Sequence, residues 1–273
     1  MEYSIVFSDV DGTLLNSRRE LSAKTLFSIR SLRERGIPFV IISGRSPSGI
    51  YPIQERYGFR SPVVSFSGAL ILDENRKVLY SRGILPEVAE EVISFVEKNR
   101  FDCTWNIYSG EEWIVKSKRD PRIIREESIV HAVAREGDVH TLPRGADIGK
   151  ILCMCNPDCL PDIETGLKAA FPELYIVRSS SILLEVMPGG VTKSSAVKEL
   201  CGMWNIPLEK AAAFGDNYND IEMLETVGMP FLMGNAPKEL KDRLANMTDS
   251  NDDDGIYNAL VRTGLIPQSD ENG

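Results

Sequence analysis

Positive charge is scarce in this sequence: 31 Lys and Arg stand against 40 Asp and Glu, a formal net charge of −9. Nucleic-acid binders draw much of their affinity from a basic surplus that neutralises phosphates, so that class is disfavoured. A local basic pocket for one phosphate remains compatible, and acidic loops suit a hard cation. No stretch is long and apolar enough to span a bilayer, and residues 1–9 have neither a basic region nor a long apolar core. Neither a membrane anchor nor a signal peptide is expected, and a cytoplasmic protein is. The five cysteines are an odd number in a chain that shows no export signal, so reduced thiols are expected, and no CxxC pair occurs. Cys153, Cys155 and Cys159 lie close together, but the two histidines, His131 and His140, are well upstream. Buried strand thiols are expected there rather than a zinc site. Glycine (21) and proline (15) are near average, which removes collagen-like and low-complexity classes. What is present, 42% hydrophobic and 26% charged residues over 273 positions, is enough for one large domain or two modest ones.

The chain opens with alternating strand and helix patterns. Residues 3–8 are short, apolar and β-branched, and Leu21, Leu26, Ile29 and Leu32 have helical spacing that stops at Gly36. A strand over 38–42, a helix before Tyr57-Gly58 and a strand over 63–66 follow. Such alternation predicts a parallel sheet covered on both faces. Residues 70–72 and 77–80 flank Asp73-Glu74-Asn75-Arg76 as a hairpin. After Pro86 the pattern changes to a helix, then strands near 103–108 and 113–115, a polar middle over 116–149 without clear period, and a further strand, helix and two strands to about 186. From Val191 helix and strand alternate again. The reading is an α/β protein with a Rossmann-like, doubly wound parallel-sheet core over 1–82 and 188–273, interrupted by an inserted α+β domain over 83–187. The polar tail over 266–273 is expected to fray.

Chemistry gathers at the predicted strand ends. The first strand runs into Asp9-Val10-Asp11-Gly12, with two carboxylates two residues apart, expected to leave a strand on one side. Crowded carboxylates beside an apolar strand are costly unless a cation is near or one is protonated. Ser43-Gly44-Arg45 offers a hydroxyl and backbone N–H groups for a phosphate oxygen, although a serine helix cap would look the same. Lys193 opens the helix after Gly189-Gly190, where it could neutralise phosphate or simply be solvated. Gly215-Asp216-Asn217-Tyr218-Asn219-Asp220 brings further carboxylates to a strand end.

In that order, DVDGTLL, SGR, GGVTK and GDNYND resemble the motifs of the haloacid dehalogenase superfamily. The insertion resembles the cap of its Cof-type phosphatases, as do RGIL before it, LEVMPGGVTK after it, LMGNAP near residue 234 and SNDDDGI near residue 253. The likeness covers nearly the whole chain and is weakest in the middle of the cap. Two departures stand out: Ser67-Gly68-Ala69 where relatives commonly carry Asn-Gly-Ala, and Ser194 where a glycine is usual. Serine offers only a hydroxyl, so the contact made at 67 should be shorter or water-mediated.

The resemblance implies a magnesium-dependent phosphatase acting on a small phosphorylated metabolite. Asp9 would be the nucleophile and form an aspartyl-phosphate, and Asp11 the general acid and then base. Asp9, the Asp11 carbonyl and Asp216 would hold Mg²⁺, with Asp220 supporting the metal shell. Val10, Ser43, Gly44, Arg45, Lys193 and Asn219 would meet phosphoryl oxygens. The cap would set specificity, although Trp105, Trp113, Arg122 and Arg125 read more simply as core and surface. A monomer or weak homodimer is expected. A phosphosugar mutase would use the same nucleophile, and a noncatalytic metabolite sensor would predict decay of a catalytic position, yet all are present. Gly145-Ala146-Asp147-Ile148-Gly149-Lys150 is one residue short of a Walker loop, and Asp252-Asp253-Asp254-Gly255 lacks the carboxylates of a calcium loop, so it reads as an acidic turn before a terminal helix.

Overall fold

The computed structural model describes residues 3–130, 132–143, 145–244 and 246–269. Two compact units emerge: one comprises the chain up to Gly44, Ile53–Leu79 and everything from Thr192, the other Arg45–Pro52 and Tyr80–Val191.

All four residues of the Ile5–Ser8 strand are buried, which requires cover on both faces of its sheet. Across that seven-stranded sheet the order is Met229–Leu232, Ala211–Gly215, Ile5–Ser8, Phe39–Ile42, Val63–Ser65, Leu70–Leu72, Val78–Ser81. The first five run parallel, through pairs such as Ala212 with Met229, Ile5 with Ala211, Val6 with Phe39 and Ile41 with Val63. Leu70–Leu72 then turns back antiparallel to Val63–Ser65. The strand after Ile5–Ser8 in the chain lies on one side of it, and Ala211–Gly215, which arrives much later, lies on the other. Ile5–Ser8 is therefore the switch point, and the crevice of such a sheet lies beyond its carboxyl end. Asp9 is the next residue.

Local sequence explains the flanking elements. The Ala23–Glu34 helix starts where the Ser22 hydroxyl accepts the Thr25 N–H at 3.1 Å. Thr192 and Ser195 form a reciprocal capping box at the head of Lys193–Met203. A final helix, Gly255–Arg262, packs on Ala23–Glu34 with the Phe27 and Tyr257 rings edge to face, as the acidic-turn reading of 252–255 anticipates. The tail departs from the expectation of fraying. Leu265 and Ile266 are buried, and the Ser269 N–H donates to the Tyr257 hydroxyl at 2.9 Å. Two apolar side chains and an aromatic hydroxyl anchor it that far; residues 270–273 lie outside the described residues.

The second unit holds a six-stranded sheet in the order Leu174–Arg178, Leu183–Pro188, Lys150–Cys155, Cys103–Ser109, Glu112–Val115, Arg135–Glu136. Its pairings are antiparallel except the last. Helices Pro86–Lys98 and Leu160–Ala170 share with it one apolar core around Val92, Val96, Ile107, Ile151, Ile163 and Leu184. The supposedly patternless middle contains a helix, Pro121–Val130, and a short strand. Asp120 caps that helix by accepting the Arg122 N–H, and Ile123 is buried while Ile124 is exposed, so the apolar stripe is too thin to read from sequence. Cys153 and Cys155 are buried strand thiols, as expected, while Cys159 is half-buried. His140 is exposed beside Glu90, and His131 lies outside the described residues. Among the described residues no helix is long and apolar enough to cross a membrane.

Candidate active site

Three chain segments, Asp9–Thr13, the start of the Lys193 helix and Asp216–Asp220, meet at the carboxyl ends of the parallel strands. The Asp9 N–H still belongs to the sheet, donating to the Phe214 carbonyl at 3.0 Å, but the strand itself ends at Ser8. The strand rule that would send Asp9 and Asp11 to one side therefore stops applying. Gly12 turns the chain with φ +82°, Asp9 is buried, and Asp11 is exposed. A Cβ on Gly12 would lie 2.3 Å from Asp216 Oδ2, so only glycine lets the turn seat against that carboxylate. Gly12→Ala should lose at least about 1 kcal/mol from the left-handed conformation alone and displace Asp216. Its urea midpoint should fall, and an unchanged midpoint would refute the tight seat.

Lys193, the first residue of its helix, is almost completely buried. Its ammonium donates to Asp9 Oδ1 and to Asp220 Oδ1, each at 2.6 Å. Asp220 Oδ2 accepts the backbone N–H groups of Asp216 and Asn217, both at 3.0 Å, which folds the loop after Ala211–Gly215. Asp216 in turn accepts the Thr13 hydroxyl at 2.8 Å. Oxygens of Asp9, Asp216 and Asp220 all lie within 4.8 Å of one another.

Burial works against the Lys193 charge, but the carboxylates of Asp9 and Asp220 outweigh it and hold the ammonium above the usual lysine range. Burial pushes Asp9 up from the ordinary carboxylate range, the Lys193 charge opposing this and the Asp220 charge adding to it. Asp216 is pushed up to about 6 by burial, against the Thr13 hydroxyl. Among the described residues a single ammonium thus bonds two of the three clustered carboxylates, leaving a buried all-oxygen cluster short of positive charge. That donor set fits a hard divalent cation.

The sequence pattern of haloacid dehalogenase-like hydrolases matches residues 6–260. The chain belongs to that family. A Haemophilus influenzae relative is 36% identical over 270 residues, covering 98% of this chain and all of its own length. Phosphatase YwpJ of Bacillus subtilis is 26% identical, covering 94% of this chain and 98% of its own. The HMP-PP phosphatase of Klebsiella pneumoniae is 28% identical, covering 88% and 87%. A haloacid dehalogenase-like hydrolase from Bacteroides thetaiotaomicron superimposes with TM-score 0.87 at 26% identity, covering 96% of this chain and 100% of its own. With these relatives this hydrolase is a phosphatase.

Of the residues singled out by sequence, Asp9, Lys193, Asp216 and Asp220 come together in this hydrolase. Val10 is buried, and its carbonyl accepts the Leu15 N–H. Ser43 is buried, its N–H bonded to Val64 and its carbonyl to the Ser67 N–H; the Ser67 hydroxyl abuts Gly44. Asn219 is exposed on a 3-10 turn. Arg45 belongs to the Arg45–Pro52 stretch of the second unit, where its guanidinium donates to the Gly49 carbonyl at 3.1 Å. In that unit the Trp105 indole bonds Glu97, the Trp113 indole bonds Asn106, and Arg122 pairs with Asp120 and Asp102, which are structural roles. Thr13 was not legible as the partner of Asp216. Its only signal is a hydroxyl directly after the turn glycine.

Proposed function

We propose that this phosphatase hydrolyses small phosphomonoesters, sugar phosphates or similar metabolites, in two steps through Asp9 with Mg²⁺ as cofactor. The observation that carries the reading is the buried Lys193 ammonium bonded to both Asp9 and Asp220 at the switch point of the sheet. In the first step an Asp9 oxygen attacks phosphorus in line, the bond from phosphorus to the leaving oxygen breaks, and Asp11 protonates that oxygen. In the second, Asp11 takes a proton from water, the water oxygen attacks phosphorus, the Asp9–phosphorus bond breaks, and inorganic phosphate departs. The environments match the roles: Asp9 is buried and fixed by Lys193, whereas Asp11 is exposed, where leaving group and water must be reached. Lys193, Ser43, Asn219 and the backbone N–H groups of Val10 and Gly44 are the proposed partners of the phosphoryl oxygens.

Asp9, Asp216 and the Asp11 carbonyl would hold Mg²⁺, with Asp220 holding the Asp216 loop in place. The ion would offset phosphate charge and stabilise charge developing during transfer. The inserted segment, 83–187, is the proposed specificity-determining cap. A relative named for HMP-PP supports a small phosphorylated metabolite as substrate.

The test is phosphate release from a panel of phosphorylated metabolites, with Mg²⁺, with chelator, and with Asp9→Asn. Release that ignores chelator or survives Asp9→Asn would overturn the reading. The raised carboxylates add a pH signature. Asp216, with its folded value near 6, favours the metal-free fold at low pH, and that contribution is lost as pH rises through 6. Mg²⁺ binds the deprotonated form, so its stabilising effect should grow from pH 5 to pH 8, reaching about 2.7 kcal/mol at a hundredfold excess over Kd. A thermal shift that is flat with pH would speak against these ligands.

A further inference from the structure

LMGNAP and SNDDDGI have no part in the chemistry above, yet both reach the Asp9–Ser17 segment. Asn235 Nδ2 donates to the Gly12 carbonyl at 2.8 Å, while Asn235 Oδ1 accepts the Asn251 N–H at 3.1 Å. Asn251 Nδ2 donates to the Leu15 carbonyl at 2.8 Å, and Asp252 accepts the Ser17 N–H at 2.8 Å. The two loops abut each other, since the Gly234 N–H bonds the Asp249 carbonyl and a Cβ there would lie 2.7 Å from Ser250 N. The Gly12 carbonyl and the Asn251 N–H fix which end of the Asn235 amide is nitrogen, and the Leu15 carbonyl does so for Asn251. Only a group that donates and accepts at once can stand at 235.

The bonds fall on the turn that carries Asp11. Val10 to Thr13 is a tight turn with Asp11 second and Gly12 third at φ +82°, the position where such turns require glycine. The turn's own bond, Thr13 N–H to Val10 carbonyl, is long at 3.4 Å. The 2.8 Å bond from Asn235 to the carbonyl of the same Gly12–Thr13 peptide is the tighter restraint. Leu15, held by Asn251, bridges back to Asp11.

We infer that Asn235 and Asn251 form an amide relay that positions Asp11 for proton transfer to the leaving group, so both are positioning residues. This rests on the role proposed for Asp11. Misplacing an acid costs most where the leaving oxygen needs the proton: an alkyl phosphate depends on it, and p-nitrophenyl phosphate, whose phenolate leaves unaided, depends on it little.

The experiment compares kcat/KM for p-nitrophenyl phosphate and for the best alkyl phosphate of the panel, in wild type, Asn235→Asp and Asn235→Ala, at a temperature below every Tm. Asn235→Asp keeps the shape and the acceptor for Asn251 but loses the donor to Gly12. Asn235→Ala controls for the added charge. The second hydrolytic step does not enter kcat/KM, so the ratio reports leaving-group departure. Both variants should lose on the order of tenfold or more on the alkyl phosphate relative to the aryl one. Equal losses on both substrates, or no loss, would overturn the relay, since a loosened fold lowers both alike. An inactive wild type, or an Asp9→Asn variant that retains activity, would instead overturn the phosphatase mechanism.

Discussion

Asp9→Asn should lower phosphate release by at least about a hundredfold while leaving the metal-free fold as stable as before, or more so. The loss of rate follows from removing the proposed nucleophile. The stability result is less obvious and follows from burial. Asp9 is buried, and its raised pKa means that ionising it in the folded state is unfavourable despite the Lys193 ammonium at 2.6 Å. A carboxyl raised in the fold contributes stability that is complete below its unfolded value and lost as pH rises through its folded value. Asparagine has no such loss, and Lys193 keeps its bond to Asp220. Relative to wild type, the variant should therefore gain stability between pH 5 and pH 8 without Mg²⁺. Urea unfolding at the two pH values checks this. A variant that is inactive because it is unfolded would leave the nucleophilic role proposed for Asp9 without support.

Lys193→Ala should show the opposite pairing, a comparable loss of rate together with a large loss of stability. It removes the ammonium that serves Asp9 and Asp220 and leaves two buried carboxylates uncompensated. Breaking one partner from a buried ion pair typically costs about 3–5 kcal/mol. The wild-type Lys193 is held above the ordinary lysine range, so its contribution is complete at neutral pH and fades only in strong base. In the variant Asp9, which burial already raises, can take up a proton in acid. The gap to wild type should be widest near pH 8, narrower near pH 5, and partly closed by Mg²⁺ at pH 8. A gap below about 1 kcal/mol, or one that does not change with pH, would mean that the lysine is not the counter-charge the geometry describes.

Much of this was written into the sequence. The strands and most helices follow apolar patterning, because a parallel sheet buried on both faces leaves continuous runs such as Ile5–Ser8 and Phe39–Ile42. The clustering of these groups was legible because Asp9, Lys193 and Asp216 each sit at an element boundary marked by glycine or a cap. The Pro121–Val130 helix was not legible, since its described apolar side chains are split between Ile123 inside and Ile124 outside. Nor was the anchored tail, because its partner, the Tyr257 hydroxyl, is specified nowhere near it in sequence.

Sequence by itself therefore determined which groups the site has and that they belong at the ends of parallel strands. Tertiary structure decided how they divide the charge. That Asp9 is buried while Asp11 is exposed depends on where the strand stops and Gly12 turns. That Asp220 serves Lys193 with one oxygen and the Asp216 loop with the other depends on segments 27 and four residues apart folding onto one carboxylate. Spacing and residue type are local, whereas desolvation and hydrogen-bond partnership belong to the folded neighbourhood, and these set the charge each group can carry.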